Sequence, residues 1–124
     1  MRFFTTGLLL CSVSTAAIAQ DQPNTILVLD GSGSMWGQIE GVTKIEIARD
    51  VIGGLLQDLP ETSELGLTVY GHRRRGDCSD IESLVAAGAN TSDAIRSAVN
   101  AIKPKGKTPL SAAVLAAAEE LKFT

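Results

Sequence analysis

The stretch Thr25-Ile26-Leu27-Val28-Leu29-Asp30-Gly31-Ser32-Gly33-Ser34 joins a continuous apolar run to a short loop in which glycine alternates with residues that carry oxygen. An apolar run of this length that ends in a polar loop is typical of a central parallel strand, buried on both faces of its sheet. Parallel strands need covering helices, so the stretch predicts an α/β domain.

The loop after this strand carries three oxygen donors at alternate positions, the carboxylate of Asp30 and the hydroxyls of Ser32 and Ser34. Mg²⁺ prefers octahedral oxygen ligation, keeps several waters and is commonly held by one or two carboxylates. A set with a single carboxylate leaves the ion short of charge, so a carboxylate from a partner would complete the shell. Because Gly and Ser are also common in turns, an ordinary turn is the structural alternative.

Helix signals follow at two places. Thr43-Lys44-Ile45-Glu46 has the pattern of a capping box, which predicts a helix that runs to about Leu59. Thr108 as N-cap, with Pro109 at the first helical position, predicts another helix that runs to Leu121.

The remaining signals complete an alternation of strands and helices. Residues 64–70 are rich in β-forming side chains, residues 81–86 predict a short edge strand, and residues 94–102 predict a further helix. The alternation predicts a doubly wound, mostly parallel sheet covered by helices, whose ligands lie beyond the carboxyl ends of the strands.

The pattern Asp30-x-Ser32-x-Ser34 after a buried strand resembles the metal-ion-dependent adhesion site (MIDAS) of von Willebrand factor A (VWA) domains. Three further phrases are similar to those of bacterial secreted members, and the resemblance extends from residue 25 to residue 121. These phrases are Gly37-Gln38-Ile39-Glu40-Gly41, Lys44-Ile45-Glu46-Ile47-Ala48-Arg49 and Tyr70-Gly71-His72-Arg73.

The resemblance implies a Rossmann-like VWA fold with Mg²⁺ at the top of its sheet, and Mn²⁺ or Ca²⁺ as alternative ions. It implies that Thr108 is a fourth metal ligand, because family members carry a Thr before the third helix. It further implies a protein-binding or adhesion role, with a carboxylate of the protein ligand completing the metal shell.

The family pattern also includes an Asp, usually followed by Gly, at the end of a fourth strand. No such segment follows Thr108, so we interpret residues 20–124 as the N-terminal part of a VWA domain, incomplete in this chain. Related sequences often place a Cys after that strand, which implies a disulfide between Cys78 and a partner beyond residue 124.

The amino terminus has the pattern of a secretory signal peptide over residues 1–19. Arg2 precedes the apolar run Phe3–Val13, and Ala17-Ile18-Ala19 offers a cleavage site. The run is shorter than the about 20 residues that span a membrane, so we expect no transmembrane segment and a periplasmic or extracellular location. Cleavage leaves ten Lys and Arg against fourteen Asp and Glu, a balance that disfavours nucleic acid as a partner.

The run His72-Arg73-Arg74-Arg75, followed by Asp77 and Asp80, allows two interpretations. In the first it is a solvated loop whose Arg and Asp side chains pair with each other. In the second, His72 and the guanidinium groups of Arg73, Arg74 and Arg75 form part of a partner-binding rim at the metal site, together with Trp36. His72 is the only histidine, so a zinc site of the usual His and Cys kind is not expected.

Enzyme signatures are absent from the sequence. A nucleophile elbow needs glycine two residues before and two residues after its serine, and neither Ser32 nor Ser34 has them. A phosphoryl transferase with Asp30 as nucleophile would want a carboxylate where Ser32 stands. We therefore expect a non-enzymatic, metal-dependent binding domain, with a metal-free interaction module or a secreted hydrolase as the alternatives.

Overall fold

The computed structural model describes residues 24–122, so the predicted signal peptide lies outside the described residues. Between residues 24 and 122, nine elements follow one another. In order they are β1 (Thr25–Asp30), a 3₁₀ helix (Gly33–Trp36), β2 (Gln38–Ile39), β3 (Val42–Thr43), α1 (Lys44–Asp58), β4 (Leu65–Tyr70), β5 (Ile81–Gly88), α2 (Ser92–Ala101) and α3 (Leu110–Leu121).

The main sheet has the strand order β1-β4-β5. β1 runs parallel to β4, from the pair Thr25 and Leu65 to the pair Asp30 and Tyr70. β5 is antiparallel to β4, because the loop 71–80 is too short for the crossover that a parallel neighbour needs. This mixed arrangement of a parallel-containing sheet and helices confirms the predicted α/β fold class.

Helices cover both faces of this sheet. Every residue of β4 is buried, and alternate side chains point to opposite faces. One face of β4 packs with α1 and α2 in a single apolar cluster, and α3 contacts the sheet with its buried Ala113 and Ala117. The cluster consists of Leu29, Ile45, Leu56, Leu65, Leu67, Val69, Ile95, Val99 and Ile102. Full burial of one such side chain contributes about 1.5–3 kcal/mol.

The helix starts were predicted with mixed success. The capping box is confirmed, because Thr43 Oγ1 accepts from Glu46 N–H and Glu46 Oε2 accepts from Thr43 N–H. The prediction of Thr108 as N-cap is wrong, since Pro109 occupies that position and no side chain caps α3. The chain before α3 is held by backbone hydrogen bonds to two other loops, and these tertiary contacts decide where the helix begins.

A short hairpin separates the 3₁₀ helix from α1, and the sequence did not predict it. β2 and β3 pair antiparallel, with Ile39 opposite Val42. The two turn residues, Glu40 and Gly41, have φ angles of 52° and 85°. Two positive φ angles in a two-residue loop are the mark of a type I′ turn, which suits the twist of a hairpin.

Two further predictions concern the chain's setting. Among residues 24–122, no helix is both long and apolar enough to cross a membrane. Cys78 is exposed and has no disulfide partner within the same range, so its disulfide with a residue beyond 124 stays a prediction.

Candidate metal-binding site

The candidate site is built where β1 and β4 end. The two strands are parallel and in register at Asp30 and Tyr70, so the loops that follow them leave the same edge of the sheet. Gly31 N–H donates to Tyr70 O over 2.8 Å and ties the first loop to the end of β4. This edge is where α/β sheets place their ligands.

Three of the four predicted ligands are held by local geometry in one loop. Ser32 N–H donates to Asp30 Oδ1 over 2.7 Å, which fixes the carboxylate against the loop. The hydroxyl oxygens of Ser32 and Ser34 lie 2.9 Å apart and share one hydrogen bond. Ser32 is buried, with 1% of its surface exposed, and Ser34 is exposed, so the first hydroxyl lies inside the protein and the second at the surface. One carboxylate and two hydroxyls therefore lie together at the sheet edge.

Tyr70 is a neighbour of the site that sequence reasoning missed. Its side chain is buried, and burial together with the charge of Asp30 and a hydrogen bond to Asp30 raises its pKa to about 12. The phenol is therefore held protonated beside the carboxylate. The parallel pairing of the two strand ends would have shown this contact, had the register been known.

A third chain segment, residues 104–107, packs against both loops. Lys105 N–H donates to Gly31 O over 3.1 Å, and Gly106 N–H donates to Gly71 O over 2.7 Å. Gly33 N–H in turn donates to Gly106 O over 3.1 Å. Thr108 follows this segment directly and is exposed, so the chain brings it to the neighbourhood of the loop. Its role as a ligand stays a prediction.

Gly71 allows this close packing. Its φ is +69°, a region that side-chain-bearing residues rarely adopt, and a Cβ there would collide with Lys107 O. The same Cβ would lie 3.1 Å from Ser32 Cα. Backbone from three parts of the chain therefore converges at a position that only glycine fits.

Met35 and Trp36 point in different directions. Met35 is partly buried and packs against the core cluster. Trp36 is 52% exposed, and its Nε1–H donates to Pro104 O over 2.9 Å. The predicted place of Trp36 in a partner-binding rim stays a prediction.

The arginine loop forms the ion pairs of the first interpretation. Arg73 Nε lies 2.6 Å from Asp80 Oδ1, and Arg74 Nε lies 3.2 Å from Asp77 Oδ2. His72 Nε2 lies 3.0 Å from Glu82 Oε2.

Arg75 is exposed and has no ion pair within residues 24–122. The pairing of Arg73 and Arg74 gives the loop a structural role. It leaves the predicted contact of His72, Arg73, Arg74 and Arg75 with a partner untested.

Asp80 organises this loop, which the sequence did not reveal. Its carboxylate is fully buried and accepts hydrogen bonds from Arg73 N–H and Arg74 N–H over 2.8 and 2.9 Å. Burial acts to raise its pKa. Hydrogen bonds from the Arg74 and Arg73 amides and the Arg73 side chain outweigh burial and lower the pKa to about 2. The loop therefore closes around a buried anion.

Within the described residues, no group of three or more His, Cys, Asp or Glu side chains gathers closely enough to hold a metal. The candidate donors at the sheet edge are hydroxyl-rich, with Asp30 as the single carboxylate. Such a set suits a hard cation that retains waters.

Comparison with known proteins identifies the family. The sequence model of the von Willebrand factor type A domain matches residues 25–123. The chain belongs to this family. Two proteins of Bacillus subtilis (strain 168) are similar to this VWA chain, and both bear the description uncharacterized. YwmD is 29% identical over 118 residues, which cover 87% of this chain and 53% of YwmD.

YwmC is 28% identical to this VWA chain over 107 residues, which cover 81% of the chain and 47% of YwmC. The VWA chain thus spans about half the length of the curated relatives it matches. Membership of the family indicates a protein-interaction module in general terms.

Proposed function

We propose that this VWA domain is a divalent-metal-dependent protein-binding module without enzymatic activity. Asp30, Ser32, Ser34 and Thr108 would hold the ion, which is Mg²⁺ in the first instance, with Mn²⁺ and Ca²⁺ as alternatives. The bound ion supplies positive charge and an open coordination position for a partner's carboxylate. We further propose that the protein is exported to the periplasm or the cell exterior, because residues 1–19 have the pattern of a signal peptide.

The observation that carries the proposal is the arrangement of Asp30, Ser32 and Ser34. Two hydroxyl oxygens lie 2.9 Å apart beside a carboxylate that a backbone amide holds in place. In this arrangement the two hydroxyls have mainly each other as partners, so an ion can replace one weak bond by two ligand contacts. Tyr70 and Ser32 N–H both contact Asp30 and orient it, as outer hydrogen bonds commonly do for metal ligands.

Titration with Mn²⁺, followed by the electron paramagnetic resonance of the free ion, tests the proposal, and isothermal titration with Mg²⁺ complements it. Asp30→Ala should abolish binding because it removes the charged ligand. Loss of an outer-shell contact alone typically costs 10–100-fold in affinity. Loss of a direct ligand in Ser32→Ala or Ser34→Ala should therefore weaken binding by about 10-fold or more. Asp58→Ala and Ser97→Ala, at exposed helix positions, are the matched controls.

Two results would count against the proposal. Equal Mn²⁺ affinity in wild type and Asp30→Ala would refute the metal-site assignment and favour a metal-free interaction module. Turnover of ester, phosphate or peptide substrates that the Asp30→Ala variant loses would favour an enzyme instead.

A further inference from the structure

Three exposed apolar side chains follow the candidate metal loop closely along the chain. Trp36, Ile39 and Val42 are 52%, 53% and 44% exposed. Ile39 and Val42 are cross-strand partners in the hairpin, so their side chains lie on the same face. Gly37 N–H donates to Ser34 O over 3.0 Å, and Lys44 N–H donates to Gly37 O over 2.9 Å. The hairpin is thereby anchored at both ends next to the metal loop.

Exposed cations follow Pro104, the residue to which Trp36 is bonded. Trp36 bonds to Pro104, and the next residues, Lys105 and Lys107, are exposed on the segment that packs against the metal loop. Neither lysine has an ion pair within residues 24–122. The segment therefore carries positive charge near Trp36, which bonds to Pro104, and near the arginine loop, since Gly106 packs closely against the carbonyl of Arg74.

This positive charge is unusual for the chain, whose formal net charge is −3. Two exposed acids, Asp58 and Glu61, lie at the opposite end of the sheet, where α1 ends and β4 begins, and exposed Glu46 is hydrogen-bonded to Thr43 at the end of the hairpin. Glu40 in the hairpin turn is exposed and is an opposing charge next to the apolar side chains. A surface that joins apolar side chains to unpaired lysines complements a polypeptide that joins apolar side chains to carboxylates.

We propose that Trp36, Ile39, Val42, Lys105 and Lys107 form one docking surface, the hairpin–lysine surface, for an acidic peptide segment of another protein. The inference rests on the proposed function, because one carboxylate of the segment reaches the metal ion. An apolar side chain next to that carboxylate covers Trp36 and the hairpin. A second acidic side chain meets the lysines. The surface thus selects carboxylates that have apolar neighbours.

The test begins with a phage-displayed library of random dodecapeptides, selected on the full chain in Mg²⁺ buffer. The selected peptides should be enriched in Asp or Glu next to Leu, Ile, Val or Phe. The most enriched sequence is then synthesised and titrated, with the fluorescence of Trp36 as readout. Trp36 is the only tryptophan of the chain, so a shift of its emission to shorter wavelength reports coverage of this surface itself.

Variants locate the bound peptide. Burial of one aliphatic side chain contributes enough free energy that Ile39→Ser or Val42→Ser should lower the affinity for the synthetic peptide about 10-fold. The double variant Lys105→Glu with Lys107→Glu should lower the affinity for the peptide by a similar factor and reduce the salt dependence of peptide binding. Val114→Ser on α3, where Val114 is 48% exposed, is the control for the hairpin variants. Lys122→Glu at the end of α3, where the lysine is 66% exposed and pairs with Glu119, is the control for charge reversal. Both should leave the affinity unchanged.

Measurement of Mn²⁺ binding in the same variants separates the two proposals. Hairpin and lysine variants that keep Mn²⁺ affinity but lose the peptide support the hairpin–lysine surface. A different result is that the hairpin variants weaken peptide binding while chelator and Asp30→Ala have no effect on it. This result overturns the metal proposal and supports the hairpin–lysine surface.

The proposal of the hairpin–lysine surface is overturned if selection yields no binding peptide, or if it yields peptides without acidic and apolar residues. The surface is also overturned if Trp36 in the free protein is inaccessible to acrylamide, because another part of the chain would then cover it.

Discussion

Replacement of Asp80 by asparagine should destabilise the protein by about 2 kcal/mol at neutral pH. The carboxylate is fully buried and accepts the Arg73 and Arg74 amides as well as Arg73 Nε, at 2.6–2.9 Å. An asparagine oxygen can still accept from the amides, but its NH₂ group cannot accept from the guanidinium. A hydrogen bond to a charged group contributes about 1.5–3 kcal/mol. Since Arg73 is 39% exposed and can be rehydrated, the lower part of that range applies.

The lowered pKa of Asp80 gives a similar magnitude for the stabilisation and predicts how the stability changes with pH. A folded pKa of about 2 against an ordinary value of 3.8 corresponds to about 2 kcal/mol of stabilisation. Because the folded pKa is the lower one, this stabilisation is complete above the ordinary value. It is lost as the pH falls through 3.8 toward the folded value of about 2.

Urea unfolding followed by far-ultraviolet circular dichroism, at a series of pH values from about 7 to about 2, measures both effects. The difference in unfolding free energy between wild type and Asp80→Asn should be largest at neutral pH and shrink toward zero in acid. Asp58→Asn, at an exposed position, is the control. A difference below about 0.5 kcal/mol at neutral pH, as for an ordinary surface substitution, would refute the reasoning. So would a difference that does not change with pH.

Three further predictions concern glycines and the arginine loop. Gly54→Ala should raise the unfolding free energy by up to about 1 kcal/mol, because alanine is the better helix former and nothing lies within 4 Å of the new methyl group; calorimetry measures it, and a lower melting temperature would contradict it. Gly71→Ala should cost about 1–3 kcal/mol and weaken Mn²⁺ binding, since the methyl group would collide with Lys107 O and displace the backbone that leads to Thr108; unchanged Mn²⁺ affinity would show that the position of this backbone does not matter for the ion. Arg74→Glu with Arg75→Glu should lower the affinity for a metal-dependent partner in a salt-sensitive way and leave the Mn²⁺ affinity within a few-fold. Pull-downs with and without chelator measure partner capture. Equal capture by wild type and the double variant would leave the loop with its structural role alone.

The parts of the fold that local patterns control were predictable from sequence. The apolar run at Thr25–Leu29 forms β1, and the capping box at Thr43 and Glu46 starts α1. Both signals lie within a few residues of the structure they specify. The same holds for Asp30, Ser32 and Ser34, whose mutual contacts span only five residues of chain.

The features that depend on distant contacts were not predictable. Thr108 looks like a cap in isolation, but the hydrogen bonds of the preceding segment to Gly31 and Gly71 shift the helix start to Leu110. The two-residue strands of the hairpin are too short for a periodic pattern, and Glu40-Gly41 is not among the turn pairs that announce a hairpin. The contact of Tyr70 with Asp30 needed the strand register, which no single segment contains.

The convergence of residues 31–33, 71 and 105–106 ties the candidate site to the folding of the whole domain. These backbone groups are far apart along the chain, so their hydrogen bonds cannot form until the loops between them have closed. The unfolded chain consequently has no ready-made site, and an ion bound to the native loops would raise the apparent stability by mass action. A rise of the melting temperature with Mn²⁺ concentration that Asp30→Ala removes would then report ion affinity and completion of folding in one measurement.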